Sequence, residues 1–292
     1  MSRLPLAGLL VADFSRVLAG PLATATLADL GARVVKVERP GVGDDTRAWG
    51  PPWTSSSSAY FESANRNKES VTLDLRDQGD QELARELAHR ADIVVENFLT
   101  GALDRYGLGY ADVRKANPGV VYCSIRGFGS GAGASLPGYD FLVQAAGGLM
   151  SITGASDEAG GGPTKAGVAL VDVLTSKDAV GGILAALIAR ARDGVGQRVE
   201  VNLLSSLLTA LVNQGSSYLA TGRAPERMGN AHPSIAPYEL LRASDDWVAI
   251  ACGNDSQFAQ LAAELGDPAL VLDLAVGQRG AEAAVAADDG RR

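Results

Sequence analysis

Short apolar runs alternate with longer helical periods along most of the chain. Runs at 9–14 (LLVADF), 33–38 (RVVKVE), 71–75, 93–96 and 120–126 read as buried strands. Between the first two, residues 21–30 are rich in Ala and Leu. Pro21 sits near the helix start and Gly31 just past its end. Residues 78–90 carry the helical period, with Leu83, Leu87 and Ala91 on one face. Strand, helix and strand in succession imply a parallel sheet, so the pattern predicts an α/β, Rossmann-like doubly wound domain.

Farther along, residues 172–192 read as one long helix. Leu174, Ala179, Ile183, Ala186 and Ile188 give it an apolar surface, and Gly194 and Gly196 end it. Residues 199–201 predict a strand and 203–219 a strongly apolar helix. Beyond Thr221 the pattern turns loop-rich, with a strand at 247–252 and a helix at 255–265. The expected organisation is a large domain over 1–221, a partial small α+β domain over 222–272 and an atypical tail over 273–292. Residues 41–68 show no clear period and hold the run Ser55–Ser58 among Gly, Pro and aromatics. A segment that long is either disordered or a functional loop. Glycine-rich connections follow at 127–138 and 154–162.

Composition narrows the function more than the fold. The formal net charge is -8, from 34 acidic and 26 basic side chains. That opposes non-specific nucleic-acid binding but leaves room for an anionic small ligand in a local basic pocket. Cys123 and Cys252 lie far apart among apolar neighbours and read as two buried thiols, with no metal-type spacing. No signal-peptide pattern opens the chain and no apolar run reaches membrane length, so the expectation is a cytoplasmic protein without a membrane partner.

The first strand–helix turn, from Ser15 to Pro21, lacks G-x-G-x-x-G, so the dinucleotide phosphate cradle is missing. Glu38 closes the second strand, where it is either a ribose-binding acid or a solvated strand end. No P-loop, nucleophile elbow or H-E-x-x-H is present, and the only histidines are His89 and His232. What remains is carboxylates beside glycine-rich loops. Asp172 opens the long helix. By position alone it is first an N-cap, yet a carboxylate held ionised at a helix N-terminus also suits a nucleophile. Asp140, after Gly138-Tyr139, has the same two readings.

Several blocks occur in an order that resembles one family. Asp13-Phe14 with Val17-Leu18-Ala19-Gly20-Pro21, then Leu27-Ala28-Asp29-Leu30-Gly31-Ala32 and Val35-Lys36-Val37-Glu38, is similar to the opening of class III coenzyme A-transferases. Gly43-Asp44 with Thr46-Arg47, Asn67-Lys68 with Ser70 and Leu73-Asp74-Leu75, and Val95-Glu96-Asn97-Phe98 resemble the next blocks. Gly138-Tyr139-Asp140 and Gln144-Ala145, then Lys165 and Gly167 ahead of Asp172, resemble the catalytic region. The likeness runs from about residue 4 to about residue 268.

The resemblance implies a Rossmann-like large domain, a small domain and a homodimer of interlocked rings. It implies transfer of CoA from an acyl-CoA donor to a small carboxylic acid, with CoA as a substrate moiety and no permanently bound cofactor or metal. Asp172 aligns with the family nucleophile, and Asp140 lies near a family acid beside it. Positions matching CoA contacts are Ala19, Arg39, Leu73, Asn97 and Arg105. Arg39 and Arg105 can pair with phosphates, or be ordinary surface arginines. Asn97 can equally be a turn residue. Gly229-Asn230 resembles the mobile loop over the nucleophile, or is a plain turn.

Leu18 stands where formyl- and oxalate-using members carry an amide, which disfavours that pair. Tyr139 replaces the histidine of the racemase branch, leaving α-methylacyl-CoA epimerisation second to transfer. Residues 147–154 (GGLMSITG) resemble members using succinyl-CoA and small dicarboxylates. An inactive CoA-binding homologue is the remaining alternative. Relative to the family the chain reads as C-terminally shortened, which predicts an incomplete small domain, exposed apolar surface around 247–265, self-association and low activity.

Overall fold

The computed structural model describes residues 4–271. These divide into two compact units. One holds the described residues up to Met150 together with Lys165–Pro225; the other holds Ser151–Thr164 and the described residues from Glu226.

The first unit runs β1 (Leu10–Asp13), α1 (Ala19–Asp29), β2 (Arg33–Glu38), α2 (Ala59–Asn65), β3 (Lys68–Thr72), α3 (Gln78–Arg90), β4 (Ile93–Glu96), α4 (Tyr110–Ala116), β5 (Val121–Arg126) and α5 (Asp140–Ala146). A short α6 (Leu149–Ile152) leads out of it. The chain returns as α7 (Leu170–Asp193), β6 (Arg198–Asn202), α8 (Leu203–Ala210) and α9 (Val212–Thr221). The six strands form one parallel sheet in the order β3-β2-β1-β4-β5-β6. This is the doubly wound order, with the switch point between β1 and β4.

The alternation of side chains along each strand feeds two cores. Val11, Ile93, Val95, Val121, Cys123 and Ile125 face α1, α7 and α8. Ala12, Val94 and Tyr122 face α3 and α4 on the other side. Both sheet faces are thus covered, which is why central strands read as continuous apolar runs.

Four expectations need correction, and one open alternative is narrowed. The third strand lies at Lys68–Thr72 rather than 71–75. It is an edge strand with a mostly polar, exposed sequence, so its apolar signal began only near its end. On α3 only Leu83 leaves the expected face, at 54% exposed: Leu87 and the buried Ala91 pack on the core beside Ala84 and Ala88. On α7 Ile188 points to solvent, and the buried stripe is Val171, Thr175, Ala179, Ile183 and Ala186. The helix expected over 203–219 is two, broken where Val212 takes φ 44°. Segment 41–68 is folded: Asp44 caps a 3₁₀ turn at Asp45–Ala48 and Ser58 caps α2.

The second unit contains an antiparallel pair, β7 (Tyr238–Arg242) with β8 (Trp247–Ala251), and α10 (Asp255–Glu264), capped by Asn254. Arg227 pairs with Asp157 and donates to the Ser151 carbonyl, tying the two chain segments of this unit together. Cys252 and Ala262 are buried, whereas Leu241, Trp247, Val248 and Leu265 are exposed. The tail expected over 273–292 lies outside the described residues. No described helix is long and apolar enough to cross a membrane.

Candidate active site

The carboxyl ends of β1 and β4 flank the switch point, where a doubly wound sheet opens a crevice. The loop after β1 is fixed there by side chains from other elements. Asn97, just past β4, accepts from the Arg16 N–H (2.8 Å) and donates back to the Arg16 carbonyl (2.7 Å). Asp44 accepts from the Val17 N–H at 3.2 Å, and Val17 takes φ 70°. A β-branched residue in that region is strained, so the surrounding bonds must hold it. Lys36 ties the assembly together, pairing with Asp44 (2.9 Å) and donating to the Ser15 carbonyl (2.8 Å).

Glu38 is not a solvated strand end, and both its carboxylate oxygens are already engaged. It is buried and takes a two-pronged pair from Arg47 (2.6 and 2.7 Å), plus the Ser70 hydroxyl and the Asp44 N–H. Burial alone raises its pKa, but these donors together bring it down to about 2. It stays anionic and anchors the loop that carries Asp44.

Two cavities adjoin this loop. The first, about 420 Å³, is lined by Arg39, Leu73, Arg76 and Arg105. Four guanidinium groups, counting Arg16, together with Lys36 outnumber Glu38, Asp44 and Asp74 on its walls and leave it net cationic, although Arg39 pairs with Asp45 and Arg76 with Asp74. The second, about 370 Å³, is lined by Leu18, Ala19, Asn97, Tyr139 and Asp172. Arg16 and Phe98 line both. The Arg16 guanidinium lies 5.0 Å from the Phe98 ring centre and 3.7 Å from Asp45. Arg126, also in the second cavity, is already paired with Glu96 at 2.6 Å.

Asp172 is not the N-cap. Helix α7 begins two residues earlier, at Leu170, and its N-cap Ala169 offers no side-chain bond. Asp140 does the capping from another helix: one carboxylate oxygen accepts from the N–H groups of Val171 (2.7 Å) and Asp172 (3.2 Å). Nor is Asp172 held ionised. Loss of water contact, then repulsion from Asp140, push its pKa up to about 7. The helix dipole, worth at most about 2 kcal/mol, does not overcome that. Tyr60 on α2 lies in the same field: burial and then the charges of Asp172 and Asp140 raise its pKa.

Gly127 and Gly138 touch back to back, so a Cβ on Gly127 would fall 2.4 Å from the Gly138 Cα. This contact joins the end of β5 to the start of α5, bringing Tyr139 and Asp140 toward Asp172.

The structure thus groups Ala19, Asn97 and Asp172 in one cavity and Arg39, Leu73 and Arg105 in the other, with Asp140 bonded to the Asp172 backbone. Asn97 spends its amide on Arg16. Gly229 belongs to the second unit, at φ 61°, with its N–H donating to the Gly154 carbonyl (3.0 Å). Sequence reasoning missed Arg16, Phe98, Tyr60 and the role of Gln144. The available signal was position, since Arg16 and Phe98 follow the two switch-point strands.

The fold and crevice define a class: a doubly wound protein whose switch point joins a cationic cavity to one holding a carboxyl of raised pKa. The chain belongs to CoA-transferase family III, whose profile matches residues 6–288. It is 47% identical over 276 residues to the succinate–glutarate CoA-transferase of Agrobacterium fabrum, covering 92% of this chain and 68% of that protein. It is 44% identical over 270 residues to the mouse succinyl-CoA:glutarate CoA-transferase, covering 92% of this chain and 61% of the relative. This chain therefore spans about two thirds or less of the length of these two relatives. A crystal structure of a CAIB/BAIF family protein from Brucella suis superposes with a TM-score of 0.83 at 47% identity, covering 97% of this chain and 77% of that one.

Proposed function

We propose that the protein transfers CoA from an acyl-CoA to a free carboxylic acid, with Asp172 as nucleophile. One observation carries the reading: a carboxyl of raised pKa faces a cavity that shares two wall residues with a cationic cavity. An acyl-CoA has the matching shape, with phosphates at one end and a thioester at the other. Arg39 and Arg105 pair with the phosphates, Leu73 lies beside them, and Ala19 and Asn97 flank the thioester end.

The Asp172 carboxylate attacks the donor thioester carbonyl and expels CoA thiolate, leaving an aspartyl mixed anhydride. The thiolate attacks the aspartyl carbonyl and releases the donor acid as a carboxylate. The acceptor carboxylate then attacks the aspartyl-CoA thioester, again expelling thiolate. Attack of that thiolate on the acceptor carbonyl gives the new acyl-CoA and frees Asp172. Each intermediate is at least as activated as a thioester, so Asp172 needs only partial ionisation near neutral pH. Asp140 acts as a neighbouring acid that shapes the nucleophile, and Gly229, in the second unit, belongs to a mobile catalytic loop. The active form is a homodimer of interlocked rings, with 1–221, apart from 151–164, in its large domain. Succinyl-CoA with a small dicarboxylic acid is the proposed substrate pair, supported by the names of both relatives.

The test is incubation with succinyl-CoA and glutarate. Formation of glutaryl-CoA is expected. Exchange of an α-proton without a new thioester would instead make the protein an isomerase, and neither reaction would leave only CoA binding.

A further inference from the structure

Gln144 is fully buried one helical turn after Asp140 on α5, so both side chains lie on one face. A buried amide must satisfy both its ends. Its Nε2 donates to the second Asp140 oxygen at 2.6 Å, and its Oε1 accepts from the Ala166 N–H at 2.9 Å. Only this orientation of the amide fits, because the carboxylate cannot donate and the N–H cannot accept. The Asp140 carboxylate therefore receives N–H groups from α5 and from the first turn of α7. Gln144 also pins the strap four residues ahead of α7. The segment 166–172 is thus braced at both ends, by Gln144 at Ala166 and by Asp140 at Val171 and Asp172.

We propose that Gln144 is a positioning residue for the transfer reaction: it locks Asp140 across the first turn of α7 and so fixes where the Asp172 carboxyl points. This rests on Asp172 being the nucleophile. Gln144 itself does not line the cavity, so it acts through Asp140 and not on the substrate. Freed from the amide, the Asp140 carboxylate can rotate away from Val171 and Asp172, and the start of α7 loses its cap. A small displacement of an attacking atom costs a large factor in rate.

The experiment uses the full chain and reads three quantities for Gln144→Glu, Gln144→Leu, Asp140→Asn and the Asp140→Asn/Gln144→Leu double variant. These are the rate of Asp172 acylation from succinyl-CoA by mass spectrometry, CoA affinity by calorimetry, and the thermal melt. Gln144→Glu keeps an acceptor toward Ala166 but replaces the neutral amide donor with a second carboxyl, which must share a proton with Asp140 or repel it. Both Gln144 variants are expected to acylate roughly ten- to a hundredfold more slowly with CoA affinity within about twofold. The double variant is expected to be no slower than Asp140→Asn, because both changes remove one interaction. Independent, multiplying losses, or Gln144 variants that acylate at the parent rate, would overturn the proposal while leaving the nucleophile in place. If Gln144→Leu fails to fold, Gln144→Glu decides alone. Absence of any Asp172 adduct in the parent protein would overturn this inference and the assignment of the nucleophile together.

Discussion

Two aspartates near the same crevice live under opposite rules. Asp13, at the end of β1, is fully buried and surrounded by donors. Lys68 lies at 3.0 Å, the Ser15 hydroxyl at 2.5 Å and the Thr24 hydroxyl at 2.6 Å. Burial pushes its pKa up, but Lys68, Lys36 and the two hydroxyls outweigh that and hold it at about 2. Lys68 is pushed down to about 8, by burial first, and remains charged at neutral pH. Asp172 is only partly buried, yet loss of water contact and then repulsion from Asp140 raise its pKa to about 7. The difference teaches that depth alone does not mark a reactive group. A satisfied carboxylate is scaffold; one left poorly compensated at a cavity wall is poised to react.

The largest expected effect is on Asp172. Asp172→Ala is expected to slow transfer by at least about a thousandfold while CoA still binds and the fold persists, since Asp140 supplies the cap. A steady-state assay with a CoA titration checks this, and substantial residual turnover would remove the contrast between the two aspartates. Asp13→Ala acts on stability instead. It leaves Lys68 buried without its ion-pair partner, while Lys36 keeps Asp44, and is expected to cost about 3–5 kcal/mol in denaturant unfolding. A parent-like midpoint would show that Lys68 finds another partner.

Stability against pH sharpens the comparison, because the two signs differ. The Asp172 pKa is raised on folding, from 3.8 to about 7, so the folded state binds more protons across that window and stability falls as pH rises through it. Asp172→Asn is therefore expected to be more stable than the parent at pH 8, by roughly 1–3 kcal/mol, and no more stable at pH 4. The Asp13 pKa is lowered from 3.8 to about 2, so its contribution is present above pH 3.8 and is lost as pH falls toward 2. Melts of the parent and both variants across pH 2–9 would show whether the two profiles diverge in these directions.

The smallest effect concerns the cationic cavity. Arg39→Ala and Arg105→Ala are each expected to raise the KM for acyl-CoA about tenfold, near 1.4 kcal/mol, with little change toward the acceptor acid. A pantetheine thioester, which lacks the distal phosphates, is expected to ignore both changes. Equal weakening toward it would assign the arginines to structure.

The sequence by itself determined the parallel sheet, because strands buried on both faces declare themselves as apolar runs such as IVV at 93–95 and VVYCSI at 120–125. It also brought Asp172 and Asp140 forward as candidates through ordered motifs. It misplaced the polar edge strand β3, whose side chains mostly face solvent and leave little apolar signal. It also ran α8 and α9 together, because a single positive φ at Val212 has no compositional mark. The electrostatic roles were decided only by the tertiary structure. Asp13 and Lys68 are 55 residues apart, and Asp140 caps a helix 31 residues downstream. A carboxyl's pKa depends on which charges and donors end within a few ångströms of it, and that distance is set by the sheet order and helix packing rather than by neighbours along the chain.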